Sequence, residues 1–285
     1  MKNRAQVSPE TAGRAPSFWR YLLLAAIAAF MLAPFYWMAT TSLKEYSKVL
    51  LFPPQLWPDP FAWKNYVDLF SRQPFHLYLW NSFLVSSAVT VGTLMFASIA
   101  GYAFAKIRFP LSNLIFLLIL SGMMMPVEVT SIPLFISFAR MKIANSFFPL
   151  IVPQVFGYGG AFGIFLMRQF FITVPDSLVE AARIDGCNPW GTYRRIVLPM
   201  AQSVIATLCI FTFLNNWNEI FLPLIYLSSS KLYTVPLALS LFTSENGVEW
   251  HLIMAAATVA TLPVLVVFFL AQRKFMESFA MSGIK

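Results

Sequence analysis

Charge is scarce in this sequence, and that scarcity excludes most soluble folds. Of 285 residues only 11% are Asp, Glu, Lys or Arg, 58% are hydrophobic, and the mean hydropathy is +0.68. Soluble globular chains carry about 25% charged residues, so this chain is built for lipid. Cysteine is nearly absent. Cys187 and Cys209 form no C-x-x-C spacing, which removes a disulfide framework and a cysteine metal site. His76 and His251 fall at the ends of apolar runs without companion ligands, so no metal site is expected. No Gly-Lys dipeptide occurs, hence no phosphate-cradling P-loop, and neither H-E-x-x-H nor G-x-S-x-G is present. No catalytic residue is expected. The formal net charge of +8 does not indicate nucleic acid, because the cations fall at the ends of apolar runs rather than on one face.

What is there is a succession of apolar runs, each near the ~20 residues that cross a bilayer. They lie at about 18–40, 77–104, 113–138, 147–171, 200–222 and 250–271. The expected architecture is an all-α integral membrane protein with six transmembrane helices between tails at 1–17 and 272–285. The first run exceeds the ~7–15 apolar residues of a signal peptide and is read as a helix that stays. Residues 41–75 are rich in proline, with Trp57 and Trp63 as expected interfacial anchors. Pro126 and Pro133 interrupt the third run, and Gly157, Gly159, Gly160 and Gly163 give the fourth a surface for close helix approach. Six crossings place both termini on one side. With the termini inside, 13 of the 20 Lys and Arg residues lie in inner segments and 7 in outer ones. That bias predicts cytoplasmic termini.

One polar insertion stands out, Val174 to Pro199, reading VPDSLVEAARIDGCNPWGTYRRIVLP. Pro175 suits a first helical turn, where its missing N–H costs nothing. Thr173 and Asp176 have the spacing of a capping box, with Asp in the place of Glu. Leu178 to Ile184 are mostly good helix formers. Gly186 is the expected stop, and Asn188 with Pro189 the expected restart as cap and first helical residue. Two short helices meeting at a glycine corner follow.

These residues carry a resemblance. Glu180-Ala181-Ala182, then Asp185-Gly186, then Ile196 and Leu198-Pro199 resemble the EAA loop of ABC importer permeases. Further matches are R-Q-F-F before the loop, M-P-V-E-V-T-S-I-P-L-F in the third run, W-N-E followed by a proline in the fifth, and the C-terminal Q-R-K-F-M-E-S-F-A-M-S-G-I-K. Together they are similar to the MalG-type, smaller permease of carbohydrate importers. Where many sugar permeases have a second proline, this chain has Ser203. The resemblance implies the type I importer permease fold in a bacterial cytoplasmic (inner) membrane. It implies a cytoplasmic loop whose first helix fits a groove on the ATP-hydrolysing subunit and passes its movement to the spans. It also implies a second, homologous permease, two ATPase subunits that hold ATP and Mg, and an extracytoplasmic solute-binding protein. This chain itself would bind no cofactor.

Polar groups inside the apolar runs are the candidates for a substrate path. An intramembrane carboxylate is a functional-site hypothesis by default, which singles out Glu128 and Glu219. Asn215, Asn216, Trp217 and Asn218 precede Glu219, and they offer amides for hydroxyl groups and an indole for a sugar ring. The structural alternative is that these groups bond between helices or reach water at a span end. The expected cargo is a sugar. Glycerol 3-phosphate or a related polyol is the alternative, since its importers are similar and share P-V-E-V and the E-W before the sixth run. No Lys or Arg lies deep in any run, which favours a neutral cargo. Two other classes compete: an ion-coupled secondary transporter using Glu128 or Glu219, and a membrane enzyme.

Overall fold

The computed structural model describes residues 18–244 and 247–282 and is mostly helical. The N-terminal tail 1–17 and residues 283–285 lie outside the described residues. The chain runs through α1 (Phe18–Thr41), α2 (Lys64–Arg72), α3 (Phe75–Lys106), α4 (Ser112–Gly122), α5 (Val127–Arg140), α6 (Phe148–Phe156) and α7 (Tyr158–Thr173). It continues with α8 (Asp176–Ile184), α9 (Pro189–Thr192), a π turn at Tyr193–Val197, α10 (Leu198–Met200), α11 (Gln202–Trp217) and α12 (Phe221–Tyr226). After α13 (Val235–Ala238), a two-residue hairpin pairs Thr243 with Val248, and α14 (Trp250–Ser282) closes the chain.

Four helical stretches are long and apolar enough to cross a membrane: Phe18–Thr41, Phe75–Lys106, Phe148–Thr173 and Trp250–Leu270. The count rises to six where two bent pairs are each taken as one crossing. One of these pairs occupies the third run, where Pro126 and Pro133 lie. α4 and α5 meet there at 92°, a break at Pro126 but none at Pro133, which lies inside α5. Pro126 has no N–H to donate and restricts the residue before it, so the helix stops at Gly122 and restarts at Val127. The fifth run also differs. Residues 189–200 and α11 form the second bent pair, at 77°, and α11 ends at Trp217 rather than 222. The last helix passes the expected boundary at 271 and continues to Ser282.

Packing centres on α3, which touches α6, α7 and α11. Small residues make this possible, because lipid gives helices no hydrophobic drive to associate. At Gly163 of α7 a Cβ would come within 2.7 Å of the Ala97 Cβ on α3 and 3.2 Å of Leu208 on α11. Around that contact lies one core cluster, with Ala97, Ile164, Met167, Phe171, Tyr193 and Leu208 buried. A second cluster joins Leu69, Phe75 and Tyr78 to Val235, Leu252 and Ala256 at the other end of α3. There Asn81 Nδ2 donates to the carbonyls of Lys231 and Tyr233, and the Ser82 hydroxyl accepts the N–H of Val235.

Candidate functional site

The polar insertion folds much as its punctuation predicts. α8 stops in a Schellman arrangement: Cys187 N–H donates to Ala182 O at 2.9 Å and Gly186 N–H to Arg183 O at 3.0 Å. This requires Gly186 at φ +81°, the left-handed region that a side chain disfavours. Asn188 Oδ1 then accepts the Gly191 N–H at 2.7 Å, capping α9, with Pro189 in its first position. The start of α8 differs from expectation. Pro175 is its cap residue without any side-chain bond, and the Thr173 hydroxyl donates to the Phe170 carbonyl instead. No capping box forms.

Asp176 is engaged elsewhere. Lys106, the last residue of α3, places its Nζ 2.6 Å from Asp176 Oδ1 and 2.6 Å from the Val174 carbonyl. The Lys106 side chain is 5% exposed, whereas that of Asp176 is 79% exposed. Hydrogen bonding and attraction from Lys106, with a smaller contribution from Arg108, hold the Asp176 carboxyl below the ordinary carboxylate range. Farther along the insertion, the Tyr193 hydroxyl lies 2.8 Å from the Ser98 hydroxyl, and its ring packs on Tyr102 at 5.3 Å. The insertion is thus fastened to α3 at two points. Val179 and Ala182 seat α8 on the bundle, while Leu178, Ala181 and Ile184 form an outward stripe with Glu180 and Arg183. Ile184 is 86% exposed. Asp185 and Gly186 are also exposed, Ile196 and Leu198 are half-buried, and Pro199 is exposed.

Within the bundle, a cavity of about 450 Å³ opens between α6, α7 and α11. Its polar lining comes from Gln154, Tyr158, Thr212, Asn215, Asn216 and Asn218, its apolar lining chiefly from Phe162 and Phe211. No charged residue lines it. Behind it a chamber of about 10 Å³, room for roughly one water, gathers Gln154, Asn216, Glu219 and Thr234. The Thr234 hydroxyl is buried there without a partner. A mostly apolar cavity of about 300 Å³ adjoins through Gln154 and Tyr158, and reaches Met125, Ser131 and Tyr226.

The family described as "Binding-protein-dependent transport system inner membrane component" matches residues 93–278, a stretch that contains both the insertion and the cavity walls. This chain belongs to that family. The permease of Pectobacterium atrosepticum described as sn-glycerol-3-phosphate transport system permease protein UgpE is 35% identical over 268 residues, covering 91% of this chain and 94% of the relative. The UgpE of Salmonella typhi is 37% identical over 217 residues, covering 75% and 76%. A crystallised bacterial ABC transporter "involved in the import of the acidic polysaccharide alginate" superposes with a TM-score of 0.78. That structure is 21% identical, covers 90% of this chain and 95% of its own, and shows that the fold is shared. The chain is therefore an inner-membrane permease subunit of an ABC importer, and ATP hydrolysis resides on a separate subunit. Ion-coupled transport and membrane-enzyme chemistry lose their ground.

In this permease the expected path residues separate. Asn215, Asn216 and Asn218 line the cavity, but Trp217 does not. Its indole is 3% exposed and stacks on Phe213 at 5.5 Å, one helical turn away. Glu219 sits beside the cavity and does structural work. Its Oε1 accepts the N–H groups of Phe221 at 2.7 Å and Leu222 at 3.2 Å, capping α12 where the membrane helix is broken. Glu128 lines none of the cavities above and lies exposed in the first turn of α5, where an acid favours the helix dipole. Sequence reading passed over Lys106, Tyr193, Gln154 and Tyr158. Gln154 carried a findable signal: it is an amide inside an apolar run, as the asparagines are.

Proposed function

We propose that this permease passes a neutral sugar or polyol through the 450 Å³ cavity, as one of a pair of related permeases. The observation that carries the reading is the cavity lining, in which amides and hydroxyls converge between aromatic rings without a cation. Amides bond hydroxyls and rings stack on sugar faces. The chamber behind it holds the Glu219 carboxylate, which would repel a phosphate.

The coupling surface is α8 with the corner after it. Glu180, Ala181 and Ala182 form its first helix, Asp185 and Gly186 its turn, and Ile196, Leu198 and Pro199 the return into the membrane. Two ATPase subunits, holding ATP and Mg, dock on the cytoplasmic face, one against each permease, and a solute-binding protein delivers cargo on the opposite face. Both termini are cytoplasmic, as the positive-inside bias requires. ATP closes the ATPase dimer, α8 is displaced, and alternating access follows.

A second cargo reading rests on the relatives, which are described as glycerol-3-phosphate permeases; its cations would come from the partner permease. Proteoliposomes holding the assembled importer decide between the two. ATP-dependent uptake of a labelled neutral sugar, reduced by Asn216→Leu and abolished by Glu180→Lys, supports the proposal. Uptake of glycerol 3-phosphate with none of any sugar would sink it.

A further inference from the structure

The outer side of α3 carries a groove that the transport path does not use. Met95 and Ile99 of α3 form one wall, Leu198 and Ile205 the other, and the volume is about 320 Å³. Ser98 and Tyr193 make the floor, and Trp190 and Arg194 stand at the mouth. A smaller cavity of about 120 Å³ shares Ile99, Trp190 and Tyr193 and runs on toward Tyr102 and Ile107. Met95 is 62% exposed and Trp190 55%, so no other part of the described chain closes the groove.

Two independent features identify the occupant. The walls are apolar and belong to helices of the membrane bundle, so the groove suits a hydrocarbon chain along its length. Its mouth lies at the end of α3 that holds the polar insertion, the level at which tryptophan marks a membrane interface. At this level Arg194 and Arg195 are both exposed, and neither forms an ion pair among the described residues. An apolar trough that ends at an unpaired guanidinium matches a phospholipid with an acyl chain and a negative headgroup. A zwitterionic lipid also carries a phosphate, but it brings its own cation to a mouth that already holds Arg194 and Arg195, so a headgroup of net negative charge is the better match.

We propose that this groove binds one anionic phospholipid, with an acyl chain along Met95 and Ile99 and the phosphate on Arg194. The floor residue Tyr193 is the one that fastens the coupling insertion to Ser98 and Tyr102. An occupied groove therefore braces the coupling segment. The site is independent of which cargo the importer carries.

The test uses the assembled importer in nanodiscs of phosphatidylcholine, with or without phosphatidylglycerol, followed by native mass spectrometry. The expected result is retained phosphatidylglycerol, reduced about fivefold by Arg194→Gln, the loss of one interfacial cation. Met95→Trp, which fills the trough, should also release it, while Arg108→Gln at the same end of α3 should not. A photo-crosslinking side chain at position 95 should give a lipid adduct. The inference is overturned if the parent retains no phosphatidylglycerol, if all three variants lose it equally, or if position 95 crosslinks to the partner permease.

Discussion

Replacing Lys106 with Met removes one of the two fastenings between the polar insertion and α3 while keeping the length of the side chain. The structure shows how much is at stake. Lys106 Nζ donates to the Val174 carbonyl at 2.6 Å from a side chain that is 5% exposed. A hydrogen bond between a charged donor and a buried carbonyl contributes roughly 1.5–3 kcal/mol. The second arm, to Asp176, is solvated, and solvated pairs contribute little. Local opening of α8 should therefore become about 10- to 100-fold more frequent in Lys106→Met, and only slightly more frequent in Asp176→Asn. Hydrogen exchange of the α8 amides in the assembled importer reads both numbers. Equal losses of protection in the two variants would refute the reasoning, since the ion pair rather than the buried carbonyl would then hold the loop. So would unchanged protection in Lys106→Met.

Other outcomes follow from the same geometry. Gly163→Val should lower the midpoint of thermal unfolding, because overpacking costs about 1–3 kcal/mol and the new Cβ would meet Ala97; an unchanged midpoint would contradict the close approach. Gly186→Ala meets no neighbour within 4 Å, so its cost is the left-handed backbone alone, about 1–2 kcal/mol, and Gly186→Asn should recover part of the lost uptake. Glu219→Gln keeps an acceptor for the amides of α12, whereas Glu219→Ala leaves them unpaired at roughly 1–3 kcal/mol; assembly yields should separate the two. The Asp176 carboxyl lies below its ordinary range through Lys106, so its contribution is full above that range and is lost as pH falls through the depressed value. Exchange-derived opening energies of α8 should accordingly hold steady from pH 7 to 5.

What was legible in the sequence was what is local. Gly186, Asn188 and Pro189 act through bonds within a few residues, so their spacing was enough. The start of α8 was misread because the partner of Asp176 is Lys106, seventy positions earlier. Hydropathy located the apolar stretch at 113–138 and Pro126 its interruption, but the 92° angle depends on what the two halves pack against and left no local mark. Trp217 was assigned to the path by residue type. Its distance of four residues from Phe213 was visible, and helical periodicity alone would have set the indole against that ring. The cavity was half legible, since α11 brought its asparagines in one run while Gln154 and Tyr158 come from another pair of helices.

The contrast between α3 and its neighbours has a mechanical consequence. Three helical runs around the two adjoining cavities are interrupted, at Met123–Pro126, at Gly157 and at Asn218–Ile220. α3 has no proline and no break over its 32 residues, about 48 Å at 1.5 Å per residue, more than the ~30 Å of hydrocarbon. One of its ends grips the polar insertion through Lys106, and the other grips the start of α13 and the segment before it through Ser82 and Asn81. A rod held at both tips cannot let one tip lag behind the other. The neighbouring helices have places to bend that α3 lacks, which makes α3 the stiff member of the bundle.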